Sequence, residues 1–306
     1  MTDHIPSSRK VQPALDAETQ GLVRSPRIAW RTVALFFFLY GVIALASTAA
    51  LTGRISLWSG MLINGIAAYA MFSVAHDSIH SSVVGYSRVN ELLGNLAFFA
   101  LVPFVSVAAG RWVHIEHHKH ANERGQDPDE WVHGGLAAIR PLRWMFFDAY
   151  YGWYALKHPE GRVMLKREWS SVAVMLISTA TMVVVPTIFG YGWEMVMLWL
   201  LPTRLGVMGN GFAFIWLPHQ PYEVSQHEDF YKATTIRSGL YWLMTPVLAY
   251  QNYHLVHHLF PGAPFYNYGK IWRAIKHDVA AQHDLVIQDG LAIRPTLRPA
   301  GSDQPI

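Results

Sequence analysis

Cysteine is absent from the 306 residues, and charge is scarce, with Asp, Glu, Lys and Arg making up 15%. The missing thiols exclude disulfide scaffolds, thiolate zinc sites, iron–sulfur clusters and cysteine nucleophiles. Any metal must therefore bind nitrogen or oxygen. The missing charge excludes an ordinary soluble globule, which carries about 25% charged residues, and mean hydropathy is positive at +0.17. The polar first 27 residues have no apolar run behind a basic start, so no cleaved signal peptide is expected. Internal repeats and low-complexity domains are also lacking. A net charge of +3 gives no reason to expect a nucleic-acid partner.

What the chain does have is apolar length. Residues 32–53 and 55–75 are uncharged and separated only by Arg54, which predicts a hairpin of two membrane-spanning helices. Residues 169–193 are uncharged, and 195–217 carry only Arg204, which predicts a second hairpin. Residues 92–110 are uncharged but interrupted by Pro103, and the apolar run 238–250 is too short to cross. Residues 111–167 are hydrophilic with aromatic islands, suiting a cytosolic layer with an interfacial helix. Of the 24 Lys and Arg residues, all but Arg54 and Arg204 fall in the N-terminal segment or in 76–91, 111–168 and 232–306. That asymmetry places both termini and most of the polar mass on the cytosolic side of an inner or cytoplasmic membrane. The expected organisation is a polar tail (1–27), one membrane domain (28–283) and a loose C-terminal tail (284–306).

Histidine is the anomaly, with 16 copies, half of them in three tight clusters. His76 and His80 (HDSIH) end the second apolar run, and positions i and i+4 share a helix face. His114, His117 and His118 (HIEHH) follow 92–110, and His254, His257 and His258 (HLVHH) follow 238–250. Chance supplies roughly one HxxxH in such a chain but only ~0.04 HxxHH, so the HxxHH boxes carry the signal. If 92–110 crossed the bilayer, the first two boxes would lie on opposite sides. A re-entrant or interfacial path keeps all three on one face. Eight imidazoles exceed one ion and suit two metals; ligand type alone leaves iron, copper and nickel open. Zinc hydrolysis is the weaker reading, because catalytic zinc takes three protein ligands and HExxH is absent. A metal transporter would set its ligands near the midplane on broken helices, not at helix ends. The expected fold is an all-α integral membrane protein: four transmembrane helices in two hairpins, re-entrant or interfacial helices, and a cytosolic histidine-rich di-metal layer.

In this order HDSIH, HIEHH and NYHLVHH resemble the three histidine boxes of the membrane fatty acid desaturase and hydroxylase superfamily, over about residues 30–275. HHKHANERGQDPD, WLPHQPYE and QNYHLVHHLFPGAPFYNY resemble its carotenoid β-ring hydroxylase and ketolase branch. The resemblance implies two iron ions, O2 as co-substrate, and C–H oxidation of a bilayer substrate. It favours hydroxylation or ketolation of a carotenoid-like ring, with fatty acyl desaturation as the alternative. It also implies a separate electron donor, such as ferredoxin with its reductase, and it adds His219 to the ligands.

Four carboxylates, Asp77, Glu116, Asp127 and Asp129, are candidates to accept the second ring N–H of a metal-bound imidazole. Asn252 is a candidate to orient the third box. Arg204 falls near the midplane of the fourth run, where a charge signals function. With Gly209, flanked by Gly206 and Gly211, it marks a candidate channel for substrate. His120 steps out of the second-box stripe. His4, His133, His158, His227, His277 and His283 lack partners at useful spacing and read as surface residues.

Overall fold

The computed structural model describes residues 13–293 and 296–298. In chain order its helices are α1 (Ala17–Val23), α2 (Trp30–Leu51), α3 (Leu57–Ile79), α4 (Ser87–Leu101), α5 (Val107–His120), α6 (Glu130–His133) and α7 (Arg140–Lys157). There follow α8 (Pro159–Arg167), α9 (Trp169–Ile188), α10 (Gly192–Met195), α11 (Leu201–Asn210), α12 (Tyr241–Val247), α13 (His254–Leu259) and α14 (Tyr268–Gln282). Three short strands, β1 (Thr235–Ser238), β2 (Leu285–Asp289) and β3 (Thr296–Arg298), complete the list. The chain divides into two compact units. A helical unit comprises Ser25–His114 and Gly135–Phe212; a mixed unit comprises Met1–Arg24, Ile115–Gly134 and Ala213–Ile306.

In the helical unit, α2, α3 and α9 are long and apolar enough to cross a membrane. Ser56 caps α3 by accepting the Ser59 N–H at 3.0 Å, after a turn in which Gly53 takes φ +72°. Small residues let α3 approach its neighbours: a Cβ at Gly60 would meet Leu198 at 2.7 Å, and one at Gly65 would meet Leu205 at 3.2 Å. The buried Asn64 of α3 donates both amide hydrogens, to Ser47 Oγ and to the Leu198 carbonyl. Most of α9 is exposed, with Ile177, Ile188 and Val174 facing outward. That is the behaviour of a helix whose solvent is hydrocarbon.

The expected fourth span over 195–217 is not one regular helix. The run turns from α10 into π geometry at Val196–Leu200, returns to α11, and becomes π again at Gly211–Trp216. A proline at 202 and glycines at 206, 209 and 211 weaken the regular ladder there. Residues 92–110 break at 102–106 into α4 and α5. The 15 residues of α4 reach roughly 22 Å, less than the ~30 Å of hydrocarbon.

The mixed unit corrects the all-α expectation. β1 runs parallel to β2, and β2 antiparallel to β3. β2 lies in the stretch expected to be a loose tail, and its Leu285, Val286 and Ile287 are buried. A buried Arg237 ties this sheet down, donating to the carbonyls of Gly290, Ala292 and Leu217. α14 buries Ile271, Trp272, Ile275 and Val279 as its pattern predicts. α1, capped by Asp16, lies within the segment expected to be only a tail. His4 lies outside the described residues.

Candidate metal centre

Four imidazoles meet in the mixed unit. His117 comes from α5, His219 from the turn at Leu217–His219, and His254 and His258 from one face of α13. All four are buried, and one ligand nitrogen from each lies within 4.8 Å of the others. His219 Nε2 is 2.9 Å from His254 Nε2, which is 3.2 Å from His258 Nε2.

Fixed acceptors stand behind three of these rings. His117 Nδ1 lies 3.0 Å from Asp127 Oδ1 and 3.2 Å from Asp129 Oδ2. His219 Nδ1 lies 3.1 Å from both Asn122 Oδ1 and the Ala233 carbonyl. His254 Nδ1 meets Gln251 Oε1. A ring that donates from Nδ1 turns its Nε2 lone pair inward. Two inward lone pairs facing at 2.9 Å repel unless a cation takes both. Around an ion with ~2.1 Å bonds to imidazole, adjacent ligands stand roughly 3.0–3.4 Å apart. The tetrad fits a metal on donor type, spacing and backing.

Electrostatics separates these rings. Burial pushes His117 down, but the carboxylates of Asp129 and Asp127 outweigh it and raise the group to about 9. Burial, then repulsion from His117, holds His219 and His254 well below the usual histidine value. Beside the tetrad, His118 Nε2 is 2.8 Å from His257 Nε2, and His257 Nδ1 is 3.0 Å from the Tyr268 hydroxyl.

The helical unit holds the other three box histidines. Ligand nitrogens of His76, His80 and His114 lie within 4.8 Å of one another, with His76 Nε2 3.2 Å from His114 Nε2. Arg111 braces the end of α3, donating to the Ile79 and Ser78 carbonyls and pairing with Glu91. Burial, helped by the Arg111 charge, pushes His80 down to about 3.

The remaining sequence candidates land variously. Asp127 and Asp129 stand behind a box histidine. Asp77 accepts from Thr32 at 2.8 Å, Glu116 pairs with Lys119, and Asn252 donates to Thr245. Arg204 forms a bidentate ion pair with Asp148 on α7, at 2.6 and 3.1 Å. Gly209 seats α11 against α3, since a Cβ there would lie 2.8 Å from the Tyr69 ring; Gly206 and Gly211 likewise abut Ala68 and Trp144. These glycines permit close helix packing. Sequence reasoning missed Asn122, Gln251, Tyr268 and Asp148; Gln251, three residues before His254, was the one with a local signal.

The family model described as fatty acid desaturase matches residues 52–290. A beta-carotene ketolase of Paracoccus sp. is 30% identical over 207 residues, covering 64% of this chain and 71% of the relative. The sn-1 oleoyl-lipid 12-desaturase of Picosynechococcus sp. is 26% identical over 283 residues, covering 83% and 78%. The chloroplastic omega-3 fatty acid desaturase of Brassica napus is 26% identical over 276 residues, covering 77% and 65%.

Proposed function

The chain belongs to the fatty acid desaturase family and is an oxidoreductase, and from that premise we propose that it oxidises a carotenoid β-ring carbon with two irons and O2. The observation that carries the metal chemistry is the buried tetrad with its inward Nε2 atoms and outward-held Nδ1 atoms. The nine histidines His76, His80, His114, His117, His118, His219, His254, His257 and His258 are the proposed ligands. One ion belongs to the tetrad. Bound iron supplies the reduction of O2 and the oxidation of an unactivated C–H bond.

The protein's own part is positioning and exclusion of water. Asp127 and Asp129 hold the His117 proton on Nδ1, and Asn122 with the Ala233 carbonyl does the same for His219. Leu217, Leu255 and Val256 bury the tetrad's own chain segments, being at most 1% exposed. Electrons come from a separate carrier, such as ferredoxin with its reductase, since the chain has no thiol to hold a cluster.

The ring substrate is supported by the ketolase likeness and by WLPHQPYE and QNYHLVHHLFPGAPFYNY. Each round consumes one O2, two electrons and two protons, leaves one oxygen on carbon, and releases one water. One round gives an alcohol; a second at the same methylene gives a gem-diol, which loses water to the ketone. Fatty acyl desaturation is the second reading, favoured by the desaturase likeness over 83% of the chain. The proposed setting is the cytoplasmic membrane, boxes and both termini cytosolic, on the Lys and Arg distribution. The test is expression in a host making β-carotene and ordinary acyl lipids, with a competent electron donor. The expected products are oxygenated β-rings with an unchanged fatty acid profile. New unsaturated acyl chains beside unmodified carotenoid would reverse the substrate and leave the metal assignment intact.

A further inference from the structure

Outside the boxes, the mixed unit gathers a second set of nitrogen and oxygen ligands. We propose that His120, Glu123 and His227 form a binding site for a divalent transition ion of the zinc class. One ligand atom from each lies within 4.8 Å of the others. His120 Nδ1 is 3.1 Å from Glu123 Oε2, which also accepts from Gln126 Nε2 at 3.1 Å. His227 Nε2 is 3.2 Å from Glu123 Oε1.

The decisive detail is that Glu123 Oε1. It is buried and makes no hydrogen bond, although an imidazole nitrogen lies at hydrogen-bond distance. The pair is close without the alignment of donor and acceptor. Two ligands of one ion have that relation, because each aims its lone pair at the metal and not at the other. Their separations of 3.1 and 3.2 Å suit adjacent ligands at ~2.0–2.1 Å from zinc. Two imidazoles and one carboxylate are a common zinc donor set, and it leaves positions for water. The His227 side chain is 72% exposed while that of Glu123 is 8%, so the carboxylate is the fixed floor and His227 the solvent-side arm.

The arm is pre-placed. Gln226, its neighbour, donates its backbone N–H to the Ala121 carbonyl at 2.9 Å and its side-chain amide to the His118 carbonyl at 2.9 Å. Asn122 donates to the carbonyls of Val224 and Ala233, binding both ends of the same loop. An ion on His120, Glu123 and His227 cross-links the end of α5 to that loop.

The test uses the iron-loaded full chain in detergent micelles, dialysed against graded zinc, with zinc and iron both counted per chain. One zinc should bind beyond the iron, with iron retained. His227→Ala and Glu123→Gln should each weaken that zinc at least ~10-fold, the least that loss of even a partner behind a ligand costs, with iron content unchanged. Because His227 is exposed, its variant folds, and retained iron verifies this. The proposal is overturned if no additional zinc binds, if zinc enters only as iron leaves, or if both variants bind zinc as the parent does.

Discussion

Asp127 is a buried carboxylate with four bonds to give up. Its Oδ1 accepts from His117 Nδ1 at 3.0 Å and from the Asp129 N–H at 2.8 Å; its Oδ2 accepts from the Asn122 N–H at 2.7 Å and the Tyr222 hydroxyl at 3.3 Å. Losing an acceptor behind a metal-bound imidazole costs about 10–100-fold in metal affinity, or about 1.4–2.8 kcal/mol. Asp127→Asn should fall toward the upper end, because it also disturbs the turn that presents Asn122 to His219. Asp129→Asn should fall toward the lower end, because the nearer Asp127 bond survives. With both replaced, His117 Nδ1 loses both carboxylates, and the loss should exceed about 100-fold. Iron retained per chain against a graded chelator measures each step, compared above the His117 value of about 9, where no variant carries the competing proton. Asp129→Asn costing as much iron as Asp127→Asn, or a double variant that keeps parental affinity, would refute this account of the tetrad.

Three further outcomes are expected. His117, raised to about 9, must lose a proton when a metal binds, whereas His219 and His254 are already neutral. Iron affinity should therefore rise about tenfold per pH unit from neutrality to about 9 and then level; a flat profile in chelator competition would contradict the raised value. In the Arg204–Asp148 pair, whose side chains are 15% and 2% exposed, Asp148→Asn alone should cost about 3–5 kcal/mol, while Asp148→Leu with Arg204→Met should recover most of it. Thermal midpoints in micelles decide this, and equal losses in the single and paired variants would deny a coupled pair. Single cysteines at Ser87, Arg124 and Arg273, all exposed positions of a cysteine-free chain, should resist an impermeant reagent in intact cells and label after permeabilisation. Outside labelling of Arg124→Cys would dismantle the cytosolic placement of the second box.

The legible parts of this protein are those whose partners lie within one helix. HIEHH and HLVHH could be read because i, i+3 and i+4 residues share a stripe, and α14 because its apolar period repeats locally. The three long apolar helices were legible by length alone. β2 was not, since LVIQD is five residues long and its partner β1 lies some 50 positions earlier. Gly209 was read as part of a substrate channel, and its close approach to Tyr69 on another helix was not legible from its own surroundings in the sequence. Arg204 stood out as a charge in an apolar run, yet Asp148, 56 positions away, sits among aromatic residues that mark it only as interfacial. The same division runs through the metal centre itself. Asp127 and Asp129 could be anticipated because they follow His117 closely. Asn122 meets His219 across 97 positions, and the other acceptor on that ring is the Ala233 carbonyl, a group that every residue carries. The nitrogen turned into the tetrad is written in spacing, whereas the nitrogen facing away depends on loop closure and on backbone atoms that no residue type announces.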